Sequence, residues 1–205
     1  MPVLPLRRDP PLGTWPIRGL VGIMDLEFTA WPGSMQRDWS GADEWREIVQ
    51  IGILIADAGD GFAIRDEFEV MVKPRNRPIL SEYFVSLTGI TQDRLDAEGK
   101  SIAHVLPSLG QFGVAAELVL FNGRDGEILR ENCAMHGLDS PLPEERMFNF
   151  RPLLARTLGR RPEELASSDL PALAGAPIEG RAHTALHDCR SIAAALSVWR
   201  RAGQL

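Results

Sequence analysis

Cysteine is scarce in this 205-residue chain, with only Cys133 and Cys189 present. Two thiols cannot build a disulfide framework, so the composition points to a reducing, cytoplasmic setting. Long apolar runs are also missing. No stretch approaches the roughly 18 apolar residues that would suggest a membrane span. The opening MPVLPLRRDPPLGTWP is broken by proline and lacks the continuous apolar core of a secretory signal. Positive charge is not in excess either: 22 Lys and Arg against 28 Asp and Glu leave a net charge of −6. That balance argues against tight, non-specific binding to long duplex nucleic acid. Of the 22 basic residues 20 are arginine, a bias that genome composition can produce unaided. No internal repeat and no interdomain linker is visible. With 44% hydrophobic and 24% charged residues, the chain reads as one ordinary globular domain over residues 20–205, preceded by an irregular, proline-rich segment over 1–19.

What is present is an apolar run, Val21-Gly22-Ile23-Met24, that ends in Asp25-Leu26-Glu27-Phe28. Strand side chains alternate, so Asp25 and Glu27 share one face while Leu26 and Phe28 take the other. Two like charges at the end of a buried strand cost energy unless something compensates them, and a divalent cation is the usual remedy. Taken alone, the pair fits an ordinary edge strand with solvated acids better, since such pairs are common. A loop over residues 32–46 follows, carrying Trp39 and Trp45 with Trp31 just before it. These rings can stack on nucleobases or pack the loop onto its own scaffold. Residues 47–56 and 62–72 read as strands two and three, an antiparallel pair around the turn 57–61. Residues 73–78 form a small basic loop. Short helices are expected around Leu87-Thr88-Gly89-Ile90, and a longer one over 101–115 with Ser101 at its N-cap. Strand four, 117–122, precedes a helix over 126–136 that ends before Gly137. A fifth strand over 147–150, a helix over 152–158 and a closing helix from about 184 to 201 complete the pattern. The fold class is therefore α/β: three antiparallel strands, then parallel ones, in a mixed five-stranded sheet flanked by helices. It resembles the ribonuclease H-like fold.

Further acids appear where such a sheet would bring them together. Asp125 stands where strand four turns through Asn122-Gly123-Arg124 into its helix. That is the carboxyl edge of the sheet, where ligands bind in open α/β folds; alone, it also fits a simple helix N-cap. Asp188 shares the stripe of Ile192, Ala195 and Trp199 on the last helix, and an acid on a buried stripe calls for a partner or a metal. His183 falls at or before that helix's start. His183 and His187 have the spacing of a zinc pair, but no third nitrogen or sulfur ligand accompanies them.

Together these residues resemble the three exonuclease motifs of the DEDDh (DnaQ-like) 3′–5′ exonucleases: Asp25 with Glu27, Asp125, and His183-Ala185-Asp188. Leu87-Thr88-Gly89-Ile90-Thr91 is similar to that family's L-T-G-I-T segment. The D-L-E-F-T-A-W and E-I-V-Q-I-G stretches look closest to the branch with the Eri-type RNA 3′ exonucleases. The resemblance implies a phosphodiester hydrolase acting on the 3′ end of single-stranded or short RNA or DNA and releasing nucleoside 5′-monophosphates. It implies two Mg²⁺ or Mn²⁺ ions roughly 3.5–4 Å apart, held by Asp25, Glu27, Asp125 and Asp188. Asp25 would bridge the ions, Glu27 and Asp188 would hold the one carrying the nucleophilic water, and Asp125 would reach the other. His183 would be the general base, with a pKa expected to rise above about 6.5 beside the carboxylates. Phe28, Leu87 and Thr88 would hold the terminal nucleotide, although Phe28 and Leu87 also suit plain core packing. A second reading is a nuclease-like binding or regulatory module, or the proofreading subunit of a larger assembly. The sequence leaves a homodimer or larger assembly open and carries no sign of a membrane partner.

Overall fold

Five β-rich runs join into one mixed sheet in the order β3-β2-β1-β4-β5. They are β1 (Leu20–Phe28), β2 (Ile48–Asp57), β3 (Ala63–Met71), β4 (Leu118–Phe121) and β5 (Met147–Asn149). β1 pairs antiparallel with β2, and β2 antiparallel with β3. β4 runs parallel to β1, and β5 parallel to β4. The expected topology is thus the observed one. The structure is a computed structural model that describes residues 17–205. Residues 1–16 of the segment expected to be irregular lie outside the described residues. Ile17, near its end, is fully buried in the core.

The helices are α1 (Glu82–Thr88), α2 (Gln92–Glu98), α3 (Ile102–Val114), α4 (Asp125–Met135), α5 (Arg151–Leu158), the single turn α6 (Leu170–Leu173) and α7 (Ala185–Arg201). β1 and β2 are buried on both faces, which is why they read as continuous apolar runs. On one face Val21, Ile23, Leu54 and Ala56 pack against Cys189, Ile192, Leu196 and Trp199 of α7. On the other, Met24, Leu26, Ile51 and Ile53 pack against α3 and α4 through Val105, Leu109, Ile128 and Leu129. The edge strand β3 carries Arg65, Asp66, Glu67 and Glu69, charges that discourage pairing with another sheet. Both cysteines are free and buried. Among the described residues, no helix is long and apolar enough to cross a membrane.

Helix limits differ from the sequence expectation in small ways that matter for the site. α4 begins one residue early, so Asp125 is its first helical residue and Arg124 occupies the cap. Ser101 does sit at the N-cap of α3, but its side chain makes no capping hydrogen bond.

Candidate active site

The odd-numbered face of β1 is apolar through Ile23 and then switches to Asp25 and Glu27, both buried. The β1–β4 ladder ends at the Ile23–Leu120 pair. Beyond it the strands part, and Asp125 Oδ1 accepts the Leu26 N–H at 3.1 Å in place of a further ladder bond. Asp125 is thereby fixed to the strand that carries the first two acids.

The fourth acid arrives through β2. Gln50 lies opposite Glu27 in the antiparallel register, and its Oε1 accepts the N–H of Ala185, the first residue of α7, at 3.0 Å. Gly52 lies opposite Asp25. A Cβ there would stand 2.5 Å from Ala185 C and Leu186 N, so only glycine lets the helix start rest on the strand. Asp188 is buried within reach of the charges of Asp25 and Glu27, and the nearby backbone N–H of His183 favours its ionised form. His183 itself has a φ of 59°, an uncommon conformation outside glycine.

Asp25, Glu27, Asp125, Asp188 and His183 all line one cavity of about 390 Å³. Phe28, Leu87, Trp31, Trp39 and Tyr83 share its walls. Thr88 does not. It is fully buried, and its hydroxyl donates to Phe84 O at 2.9 Å while accepting the Ile90 N–H at 3.0 Å. Its hydroxyl is thus engaged with the backbone at the end of α1, beside the cavity-lining Leu87. In the same segment Gly89 adopts φ 75°, and Arg181 packs on its open face while donating to Ser86 O. Thr91 caps α2.

Trp39 packs the loop and also reaches the cavity. Its indole N–H donates to Thr29 O at 2.8 Å and its ring packs 5.4 Å from that of Phe28, yet it still faces the cavity. Trp45 does not line the cavity and is half-exposed. His187 sits on the flank of α7 with its ring against Gly180.

Electrostatics mark the cluster as incomplete. Burial, with the neighbouring charges of Asp125, Glu27 and Asp188, holds the Asp25 carboxyl well above its usual range. Burial and the charges of Asp188 and Asp125 do the same to Glu27. Asp125 is pushed by burial to about 6, against the opposing pull of backbone N–H groups and the Arg151 guanidinium. Burial pushes Asp188 to about 7. Asp188 Oδ1 is buried without a hydrogen-bond partner, and ligand atoms of Glu27, His183 and Asp188 lie within 4.8 Å of one another. A concentration of buried carboxylates with an orphaned oxygen fits hard divalent cations. The expected rise in the His183 pKa is reversed. Burial lowers it, Arg181 lowers it further, and Asp169 opposes both. Partial burial of the imidazole outweighs the charge of Asp169.

Four contributors were not singled out from sequence. Gln50 and Gly52 place α7, although they fall within the E-I-V-Q-I-G stretch already matched. Ser167 hydrogen-bonds Asp25 and accepts from Asn122 Nδ2 at 3.1 Å. Arg151 lines the cavity from the start of α5.

The family model for RNase_T, described as Exonuclease, matches residues 23–196. ERI1 exoribonuclease 2 of Danio rerio is 26% identical over 193 residues, covering 83% of this chain and 33% of the relative. The 3′-5′ exonuclease Snipper of Drosophila melanogaster is 23% identical, covering 89% and 69%. The chain thus spans about a third of the zebrafish relative's length. Among solved structures, the nuclease domain of 3′hExo, a DEDDh family member bound to rAMP, superposes with a TM-score of 0.76 at 21% identity, covering 92% of this chain and 94% of that one. E. coli Exonuclease I with a dT13 oligonucleotide gives 0.64 at 16% identity, covering 89% and 41%. At these identities the superpositions establish the fold.

Proposed function

Since the chain belongs to the exonuclease (RNase_T) family, we propose that it is a metal-dependent 3′–5′ exonuclease that shortens single-stranded or short RNA or DNA from the 3′ end, releasing nucleoside 5′-monophosphates. The observation that carries this reading is the set of four buried carboxylates around one cavity with Asp188 Oδ1 unpartnered. Mg²⁺ or Mn²⁺ would be held by Asp25, Glu27, Asp125 and Asp188. Bound there, two such ions would neutralise the cluster, acidify water and stabilise the charge of an in-line displacement at phosphorus. Asp25 feels the charge of all three other acids, which places it at the centre of the set that would hold the ions. Glu27 and Asp188 lie with His183, on the side where the attacking water would be oriented. Burial keeps the His183 imidazole neutral near pH 7, so one ring nitrogen is free to accept that water's proton. Phe28 and Leu87 offer apolar walls for the last base and sugar. Residues 20–205 act as one catalytic domain. The complete acid set, with its histidine, disfavours a purely scaffolding role.

The test is incubation of purified protein with 5′-labelled single-stranded RNA, single-stranded DNA and dinucleotides in Mg²⁺ or Mn²⁺. A ladder shortened from the 3′ end, with mononucleotide release abolished in Asp25→Ala, is expected. No release from any substrate, with Asp25→Ala indistinguishable from wild type, would sink the reading.

A further inference from the structure

Three arginines line the cavity: Arg46, Arg124 and Arg151. Two of them have carboxylate partners. Arg46 pairs with Glu131, Glu127 and Asp38. Arg124 pairs with Asp38, and with Glu127 at 2.7 Å. Those contacts fasten the loop over residues 32–46 to α4. Arg151 differs, because its hydrogen bonds go to neutral groups. Nε donates to Asn122 Oδ1 at 2.9 Å and Nη2 donates to Asn122 O.

The seat for this guanidinium is built by its neighbours. Asn122 is itself buried and anchored, with Nδ2 donating to Leu165 O at 2.7 Å and to Ser167 Oγ at 3.1 Å. Asn149 clamps the adjoining peptide: its Oδ1 accepts the Gly123 and Arg151 N–H groups, and its Nδ2 donates to Gly123 O at 2.8 Å. Gly123 has φ +132°, and a Cβ there would lie 2.9 Å from Arg151 Nη2. The β4–α4 turn is thus shaped to seat the guanidinium where it feels the charges of Asp125 and Asp25.

We propose that Arg151 is a substrate-binding residue of the active site, donating to a non-bridging oxygen of the scissile phosphate. This deepens, and rests on, the exonuclease reading. The charge balance explains the need. Two divalent cations held by the four carboxylates would leave no net positive charge there, so a protein cation is suited to the negative charge that grows on the phosphate during displacement. Arg151 faces the cavity with its charge not spent on a carboxylate hydrogen bond, and a guanidinium held in one plane loses little freedom on binding an oxyanion.

The test compares wild type, Arg151→Gln and Arg151→Lys. Calorimetry measures 5′-AMP, adenosine and Mn²⁺ binding, and turnover is read on a single-stranded oligonucleotide. Arg151→Gln should lose roughly 10- to 100-fold in 5′-AMP affinity, the range expected for a charged hydrogen bond, with a comparable fall in kcat/KM. Its adenosine affinity should hold, and Mn²⁺ should bind as well or better once a neighbouring cation is gone. Arg151→Lys should recover part of the loss. Unchanged 5′-AMP affinity in Arg151→Gln overturns the assignment. So does a joint fall in 5′-AMP, adenosine and Mn²⁺ affinity together with Tm, which would mark Arg151 as a support for the turn alone. Wild-type protein that binds 5′-AMP through Arg151 yet degrades nothing overturns the exonuclease reading instead.

Discussion

Replacing Asp188 by asparagine separates two consequences of the same buried carboxylate, its cost to the metal-free fold and its value to the loaded site. In the folded chain Asp188 ionises near 7 rather than at its ordinary 3.8. A carboxylate whose folded pKa is raised binds more protons folded than unfolded between the two values, so stability falls as pH climbs through that window. The penalty is nearly absent below 3.8, grows from about 4 to 7, and is complete above. At pH 8, about 1.4 kcal/mol per pH unit over a gap of about three units amounts to ~4 kcal/mol. At pH 4 the same linkage leaves less than about 1 kcal/mol. An asparagine keeps the shape, can set its carbonyl oxygen beside the His183 N–H, and turns its amide toward Asp25 and Glu27. Allowing ~1 kcal/mol for imperfect packing of the amide, Asp188→Asn should be more stable than wild type by ~3 kcal/mol at pH 8 in EDTA. That corresponds to a rise in Tm of roughly 6–12 °C for a domain of this size. Urea unfolding at pH 4 and pH 8, each with EDTA, measures it directly. On adding Mn²⁺ the order should reverse, because only wild type gains binding free energy. A variant no more stable than wild type at pH 8 in chelator, or one equally stabilised by Mn²⁺, would refute the reasoning.

His183→Ala should lower kcat by roughly 10²- to 10⁴-fold, the usual range for a general base, while leaving Mn²⁺ affinity close to wild type by calorimetry; lost metal binding would instead make His183 a ligand. Gly52→Ala should destabilise the fold by ~1–3 kcal/mol in urea unfolding, because its Cβ meets the backbone of Ala185 and Leu186 at 2.5 Å. It should also abolish nucleotide release by lifting Asp188 away from β1, and unimpaired activity would show that the start of α7 has room to move.

Much of the site was legible because it follows short-range periodicities. Period-two alternation places Asp25 and Glu27 together, and helical spacing puts Asp188 on the stripe of Ile192 and Trp199. What escaped depends on neighbours remote in the chain. Thr88 reads as a pocket residue in a matched segment, but a hydroxyl at the end of a helix satisfies its own backbone first. The His183 shift has the opposite sign from the one expected, because partial burial outweighs the charge of Asp169. Arg151 looks like any other of the 20 arginines until Asn122 and Gly123 are seen to hold it.

The sequence by itself determined the strand and helix types and the sheet class, since local patterning is written residue by residue, and its resemblance to the exonuclease motifs singled out the four acids and the histidine. Only the tertiary structure decided how closely those groups converge and which cation faces them. Convergence rests on Gln50 capping α7 from 135 residues away and on Asp125 replacing a ladder bond across 99 residues. Such contacts form when separate segments fold against one another, and no local pattern encodes their distance or their protonation.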